Sequence, residues 1–205
     1  MSKNLLIIFV KNLIPGTVKT RLAADIGIDG ALDVYQFLVE HTAEVTEDVE
    51  SDKVVYYSEY VEIEDVFDTD KYKLQTQRGN DLGEKMLNAF NKSFESGYEK
   101  VVIIGSDCFE LKTDHMEEAF DMLENHDVAI GPASDGGYYL LGMKKPHPEL
   151  FENKKYSHDK VFEELLAAIG ENDLTFHLLP ELNDIDTFDD LKDSDIDFEF
   201  VSDDE

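Results

Sequence analysis

Leu5-Leu6-Ile7-Ile8-Phe9-Val10, followed at once by Lys11-Asn12-Leu13-Ile14-Pro15-Gly16-Thr17-Val18-Lys19-Thr20-Arg21, decides the fold. Six consecutive apolar residues without alternation read as a strand buried on both faces, the kind found in parallel sheets covered by helices. Pro15-Gly16 punctuates the loop that leaves it. The pattern recurs at Val101-Val102-Ile103-Ile104, which runs into Gly105-Ser106-Asp107-Cys108. Further strands are expected at 53–57, 128–130, 137–143 and 175–179, with a weaker one at 72–76. Apolar spacing at Ala31, Val34, Tyr35 and Leu38 predicts a helix from Ala31 to about Val45. Asp81, with Glu84 three residues on, forms a capping-box-like start to a helix reaching about Phe94. Helices are also expected from Thr113 or Asp114 to about Glu124, from His158 to Ile169, and briefly from Thr187. Strands alternating with helices imply βαβ units. The expected architecture is a single-domain three-layer α/β/α sandwich on a mostly parallel mixed sheet, spanning 1–201. Residues 193–205 carry acids around Ile196, Phe198, Phe200 and Val201 and could add an edge strand, with 202–205 a frayed tail.

The 205 residues suit one large domain, and 42% hydrophobic content supplies a core for both sheet faces. One cysteine, Cys108, excludes an internal disulfide framework and a Cys-based metal cluster. The first apolar run is too short for a signal peptide, and no stretch approaches a membrane span, so a cytoplasmic protein is expected. The net charge of −29 argues against nucleic acid or an anionic membrane as partner. Its distribution is informative. Residues 1–24, 71–80 and 136–148 contain no acid yet hold nine of the 18 basic residues. Folded together, they would form a neutral-to-basic pocket for an anionic small molecule.

In open α/β sheets ligands bind outside the carboxyl ends of the strands, where each distinctive cluster of this sequence falls. The first loop offers backbone N–H groups plus Lys19 and Arg21 to an anion, or is merely a basic turn on an acidic protein. It is no Walker A loop, which would need Gly in place of Leu13 and Val18. Asp107 follows the second buried strand and can hold a cation that bridges phosphates, or cap the next turn. Asp135-Gly136-Gly137 can bring a ligand close to the backbone, or form a plain hairpin turn. Asp184 and Asp186 point the same way in extended chain and suit Mg²⁺ or Mn²⁺, unless Asp186 or Thr187 caps a helix. Cys108 reads as a buried small thiol. The six histidines show no paired metal spacing; only His158, at an expected helix start, stands near possible chemistry.

The order of these motifs resembles that of a bacterial family of GT-A-like glycosyltransferases, the transferase 1 type associated with radical-SAM and selenium-linked domains. The likeness runs through 9–23, 77–86 (Gln77-Arg78-Gly79-Asn80-Asp81), 105–111, 131–142 and 184–191, nearly the whole chain. It implies the nucleotide-diphospho-sugar transferase fold, Rossmann-like, in which the first loop wraps the nucleotide and an Asp after the central strand binds a divalent metal. By motif position Asp107 takes the metal, with Asp184 and Asp186. Lys11, Gly16, Lys19, Arg21 and Arg78 take the nucleotide and its phosphates. Ser134, Asp135, Gly136 and Gly137 take the sugar or acceptor, with Asp135 joining Asp107 as the catalytic pair. The chain departs from the family at Leu13, Phe109 and Phe188, where proline is usual, and at Lys112, often Thr. It offers a single carboxylate in Gly-Ser-Asp-Cys where well-known GT-A enzymes carry Asp-x-Asp. The implied activity is metal-dependent glycosyl transfer from a nucleotide-diphosphate sugar to an acceptor the sequence does not name. Two other readings stay open: nucleotidyl transfer with pyrophosphate release, and a non-catalytic nucleotide-binding module. The oligomeric state is not legible.

Overall fold

A computed structural model describes residues 3–152, 154–156 and 158–196. Seven strands form one sheet: β1 (Asn4–Val10), β2 (Asp52–Tyr57), β3 (Tyr72–Thr76), β4 (Lys100–Ile104), β5 (Val128–Pro132), β6 (Tyr138–Met143) and β7 (Phe176–Leu178). Their order across the sheet is β3-β2-β1-β4-β6-β5-β7. All run parallel except β6, which is antiparallel to both β4 and β5. This is the expected mixed, mostly parallel sheet, and the lone reversed strand follows from the tight turn at Asp135-Gly136-Gly137. Two strands joined that closely can only be antiparallel.

The apolar run of β1 feeds two cores. Leu6, Ile8 and Val10 pack with Tyr35 and Val39 of α1 (Thr20–Glu47) and with Met116 and Phe120 of α3 (Thr113–Met122). Leu5, Ile7 and Phe9 pack with Met86 and Phe90 of α2 (Leu82–Glu95) and Leu165 and Ile169 of α4 (Val161–Glu171). The period-2 alternation of a strand thus builds helix layers on both faces. Burying each of the large side chains contributes roughly 1.5–3 kcal/mol. A third cluster joins Leu22, Val34 and Leu38 of α1 to Ile185 and to Leu191 of the short α5 (Phe188–Asp193).

Most expected elements are present, with informative differences. The helix expected from Ala31 begins at Thr20 and bends at Gly27, whose φ of 79° interrupts it. The Gly27-Ile28-Asp29-Gly30 stretch hides the helical period of the preceding turns. The helix expected from His158 begins at Val161. Asp81 caps α2 as expected, its carboxylate accepting from Glu84 N–H, but the Glu84 side chain reaches back to Asn80 rather than to the cap residue. Of the possible edge strand at 193–205, the described part is the end of a helix at Asp193 and non-strand chain at 194–196, and the remainder, with the tail at 202–205, lies outside the described residues. Among the described residues, no helix is long and apolar enough to cross a membrane.

Candidate active site

β1 and β4 are neighbours, and the chain leaves them in opposite directions, toward β2 and toward β5. Their carboxyl ends therefore open a crevice. Two contacts fix its rim. Tyr35 reaches back from α1, where its hydroxyl accepts from Lys11 N–H at 2.8 Å and shares a hydrogen bond with Ser106 Oγ at 2.9 Å. Buried Asn12 ties the first loop to the segment after β2. Its Oδ1 accepts from Glu59 N–H at 2.9 Å, and its Nδ2 donates to the Tyr60 carbonyl at 3.0 Å.

At the floor, Lys19 precedes α1 with φ 47°, left-handed backbone that turns its side chain inward. Its Nζ lies 2.9 Å from Asp107 Oδ1 and 3.0 Å from Asp186 Oδ1, with the side chain only 2% exposed. The Asp107 oxygen is closed off from solvent and faces the Lys19 ammonium as an ion pair. Burial alone would lower the Lys19 pKa, but Asp107 and Asp186 outweigh it and raise it. Burial opposes ionisation of Asp107 as well, and Lys19 with Lys11 overcomes it, holding the carboxyl below its usual range. Among the described residues, Asp184 has no such partner. Burial, then the charge of Asp107, push it up to about 7 against the pull of Lys19, with Asp135 and Asp186 adding to the rise. The backbone N–H of Ile185 donates to the Asp107 carbonyl at 3.0 Å, holding the two acidic loops together.

The cleft has two lobes. One, about 240 Å³, is lined mainly by apolar groups, among them Phe9, Leu82, Met86, Tyr138 and Tyr139, with Lys11 and Gln77. The other, about 690 Å³, is lined by Arg21, Asp135, Gly137, Tyr156, His158, Asp159 and Asp186. Leu82, Asp107, Tyr138 and Asp184 line both. In the first lobe the expectation of a neutral-to-basic pocket is met only in the gathering of Lys11, Gln77 and Tyr138 from the three acid-free windows, since Asp107 and Asp184 line it too and outnumber its lysine. It fails for the second, where five aspartates face Arg21, because loops the sequence keeps apart converge there.

The structure gathers most of the sequence-predicted residues. Lys11, Arg21, Asp107, Asp135, Gly137, Asp184 and Asp186 all line the cleft. Lys19 lies beneath it, committed to two carboxylates. Gly16 makes an exposed turn at φ 76° and lines neither lobe. Arg78 and Ser134 are exposed and also line neither. Gly136 turns away to pack: a Cβ there would lie 2.1 Å from the Asp159 carbonyl oxygen. Asp135 accepts from Gly137 N–H at 2.8 Å, so the hairpin-turn reading holds while the same residue faces the cleft. Cys108 is buried, and burial pushes its thiol up, leaving it inert.

Sequence reasoning missed Tyr35, Gln77, Tyr156 and Asp159. Tyr35 carries the same helical spacing as its core neighbours, and nothing local marks its hydroxyl. Tyr156 packs over the start of α2, where a Cβ on Gly83 would meet its ring at 2.5 Å; only that contact reveals its place.

Among the described residues, no group of three or more His, Cys, Asp or Glu side chains is arranged to hold a metal ion. Mg²⁺ is commonly held by one or two carboxylates plus substrate phosphates rather than by a protein cage. Asp107 and Asp184, crowded carboxylates open to the cleft, fit that incomplete donor set.

The family described as an uncharacterized protein conserved in bacteria, DUF2064, matches residues 41–158. The chain belongs to this family. A similar solved structure is that of a candidate nucleotide-diphospho-sugar transferase from Desulfovibrio desulfuricans G20. It is 32% identical with a TM-score of 0.87, over 93% of this chain and 85% of that one. The chain thus has the nucleotide-diphospho-sugar transferase fold expected from its motifs. A 2-phospho-L-lactate guanylyltransferase of Methanocaldococcus jannaschii is 30% identical over 82 residues, 40% of this chain. The match spans only 37% of that relative's length. A cytidylyltransferase from Leptospira borgpetersenii, 15% identical with a TM-score of 0.60 over 93% of this chain and 84% of that one, shares the fold.

Proposed function

We propose that this DUF2064 protein is a nucleotide-dependent transferase that moves a glycosyl group from a nucleotide-diphosphate sugar to a hydroxyl acceptor. The observation that carries the reading is the two-lobed cleft meeting at Asp107 and Asp184. The apolar lobe suits a nucleobase and ribose, with Tyr138 and Tyr139 as aromatic surfaces. Lys11 and Arg21 are exposed cations without an ion pair among the described residues, suited to the diphosphate. The wide lobe is acidic, which favours a hydroxyl-rich sugar over a further run of phosphate charge.

Asp107 and Asp184 would hold Mg²⁺ or Mn²⁺, which when bound neutralises charge on the leaving diphosphate. Asp186 serves through its ion pair with Lys19. Asp135, turned into the wide lobe, would take the proton of the acceptor hydroxyl as its oxygen attacks the anomeric carbon. The carbon–oxygen bond to the diphosphate then breaks, and its electron pair leaves with the nucleoside diphosphate. A cytoplasmic setting fits the lone buried thiol.

The guanylyltransferase match favours a second reading on the same fold, nucleotidyl transfer from a nucleoside triphosphate. One product assay separates them. Release of nucleoside diphosphate from a nucleotide-sugar supports glycosyl transfer; release of pyrophosphate from a triphosphate supports the second. If the full chain with Mn²⁺ turns over neither class of donor, a non-catalytic nucleotide-binding module is the remaining reading.

A further inference from the structure

Lys19 is built into the protein differently from the other two cations of the first loop. Lys11 and Arg21 are exposed on the cleft wall, whereas the Lys19 side chain is 2% exposed. Its backbone adopts the left-handed region at φ 47°, which residues other than Gly, Asn and Asp occupy reluctantly. That turn sends the ammonium under the loop, 5.9 Å from the centre of the Tyr35 ring. There it joins Asp107, from the loop after β4, to Asp186, from the loop before α5. Both anionic partners are protein groups, so reaching a phosphate would require breaking both ion pairs of a buried ammonium and leaving two half-buried carboxylates without their counter-ion.

We infer that Lys19 is a positioning residue, an internal counter-ion that locks Asp107 to Asp186 and opposes a divalent cation on Asp107 unless nucleotide phosphates arrive with it. The inference rests on the donor-and-metal reading above and deepens it into regulation of that site. A positive charge 2.9 Å from Asp107 repels a second cation bound to that carboxylate. A diphosphate contributes negative charge from the opposite side and restores the balance. Metal and nucleotide would then load together, and the empty cleft would not accumulate metal.

The test is Mn²⁺ binding to the full chain, followed by electron paramagnetic resonance, with and without inorganic pyrophosphate. In the wild type, pyrophosphate should strengthen Mn²⁺ binding at least tenfold. Lys19→Gln, checked for native circular dichroism, should bind Mn²⁺ at least tenfold more tightly than wild type without pyrophosphate, and Lys19→Arg should restore the weak binding. Metal-free pyrophosphate binding should persist in Lys19→Gln and fall in Arg21→Gln. Equal or weaker Mn²⁺ binding by folded Lys19→Gln overturns the inference, as does loss of pyrophosphate binding in that variant. If Lys19→Gln does not fold, the wild type still decides: Mn²⁺ affinity indifferent to pyrophosphate overturns it. Failure of Mn²⁺ to bind any form, with or without pyrophosphate, removes the donor-and-metal reading itself.

Discussion

The two lobes of the cleft meet at the same four residues but are held in shape by different forces. The apolar lobe is walled by the ends of β1 and β4 and the first turns of α2, elements fixed by their packing into the cores on the two sheet faces. The acidic lobe is walled by loops at 107, 135, 156, 158–159 and 184–186. Their arrangement depends on a buried lysine, on backbone bonds such as Ile185 N–H to the Asp107 carbonyl, and on glycine-permitted contacts. One lobe has its shape from burial and the other from charge, so they should fail differently.

Met86→Ala probes the contrast most strongly. Met86 is buried against Phe90 and the sheet, and its truncation should cost about 2–5 kcal/mol with weaker nucleotide binding. Unchanged metal affinity in that variant, read by Mn²⁺ titration, would keep the two lobes separable. Lys19→Met tests the other lobe. It removes the shared partner of Asp107 and Asp186; breaking a fully buried ion pair costs about 3–5 kcal/mol, and the partial exposure of the two carboxylates lowers the expected loss to about 2 kcal/mol. Urea denaturation should show this loss at neutral pH, and a loss below about 1 kcal/mol would mean charge does not hold the acidic lobe.

Asp184 gives the pH signature. Its folded pKa of about 7 lies above the ordinary carboxylate value, so the folded state holds the proton more tightly than the unfolded chain. The resulting penalty is absent below about pH 4, grows as pH rises toward 7, and is complete above it. Asp184→Asn should therefore stabilise the metal-free protein by about 2 kcal/mol at pH 8, reduced from the full shift because the side chain is partly open to solvent. Chemical denaturation at pH 4 should show the gain gone; a gain independent of pH would place its cause elsewhere. Tyr35→Phe should have the smallest effect, about 1 kcal/mol, by removing the hydroxyl that links Lys11 N–H to Ser106. Faster amide exchange at Lys11 is the local readout.

The contrast also explains what the sequence made legible. Strands such as Leu5–Val10 and Val101–Ile104 declare themselves because continuous apolar character has few other uses, and the cap at Asp81 is a local chemical pattern. Asp107 was legible as the residue following a buried strand. The partnership of Lys19 with Asp186 was not: 167 residues separate them, and only closure of the sheet brings them together. Gly136 looked like a place for a ligand, yet the chain itself occupies the space beside it through Asp159. Helix α1 is longer than its apolar spacing suggests because Gly27 interrupts the period.

The most direct test of the central claim is thermal stability of the wild type and Asp107→Ala with nucleotide-sugars and nucleoside triphosphates, each with and without Mn²⁺. The predicted result is that a nucleotide-sugar raises the wild-type Tm by several degrees only with Mn²⁺, while Asp107→Ala keeps its fold and loses the metal dependence. A wild type that no nucleotide stabilises under any metal condition would contradict the account.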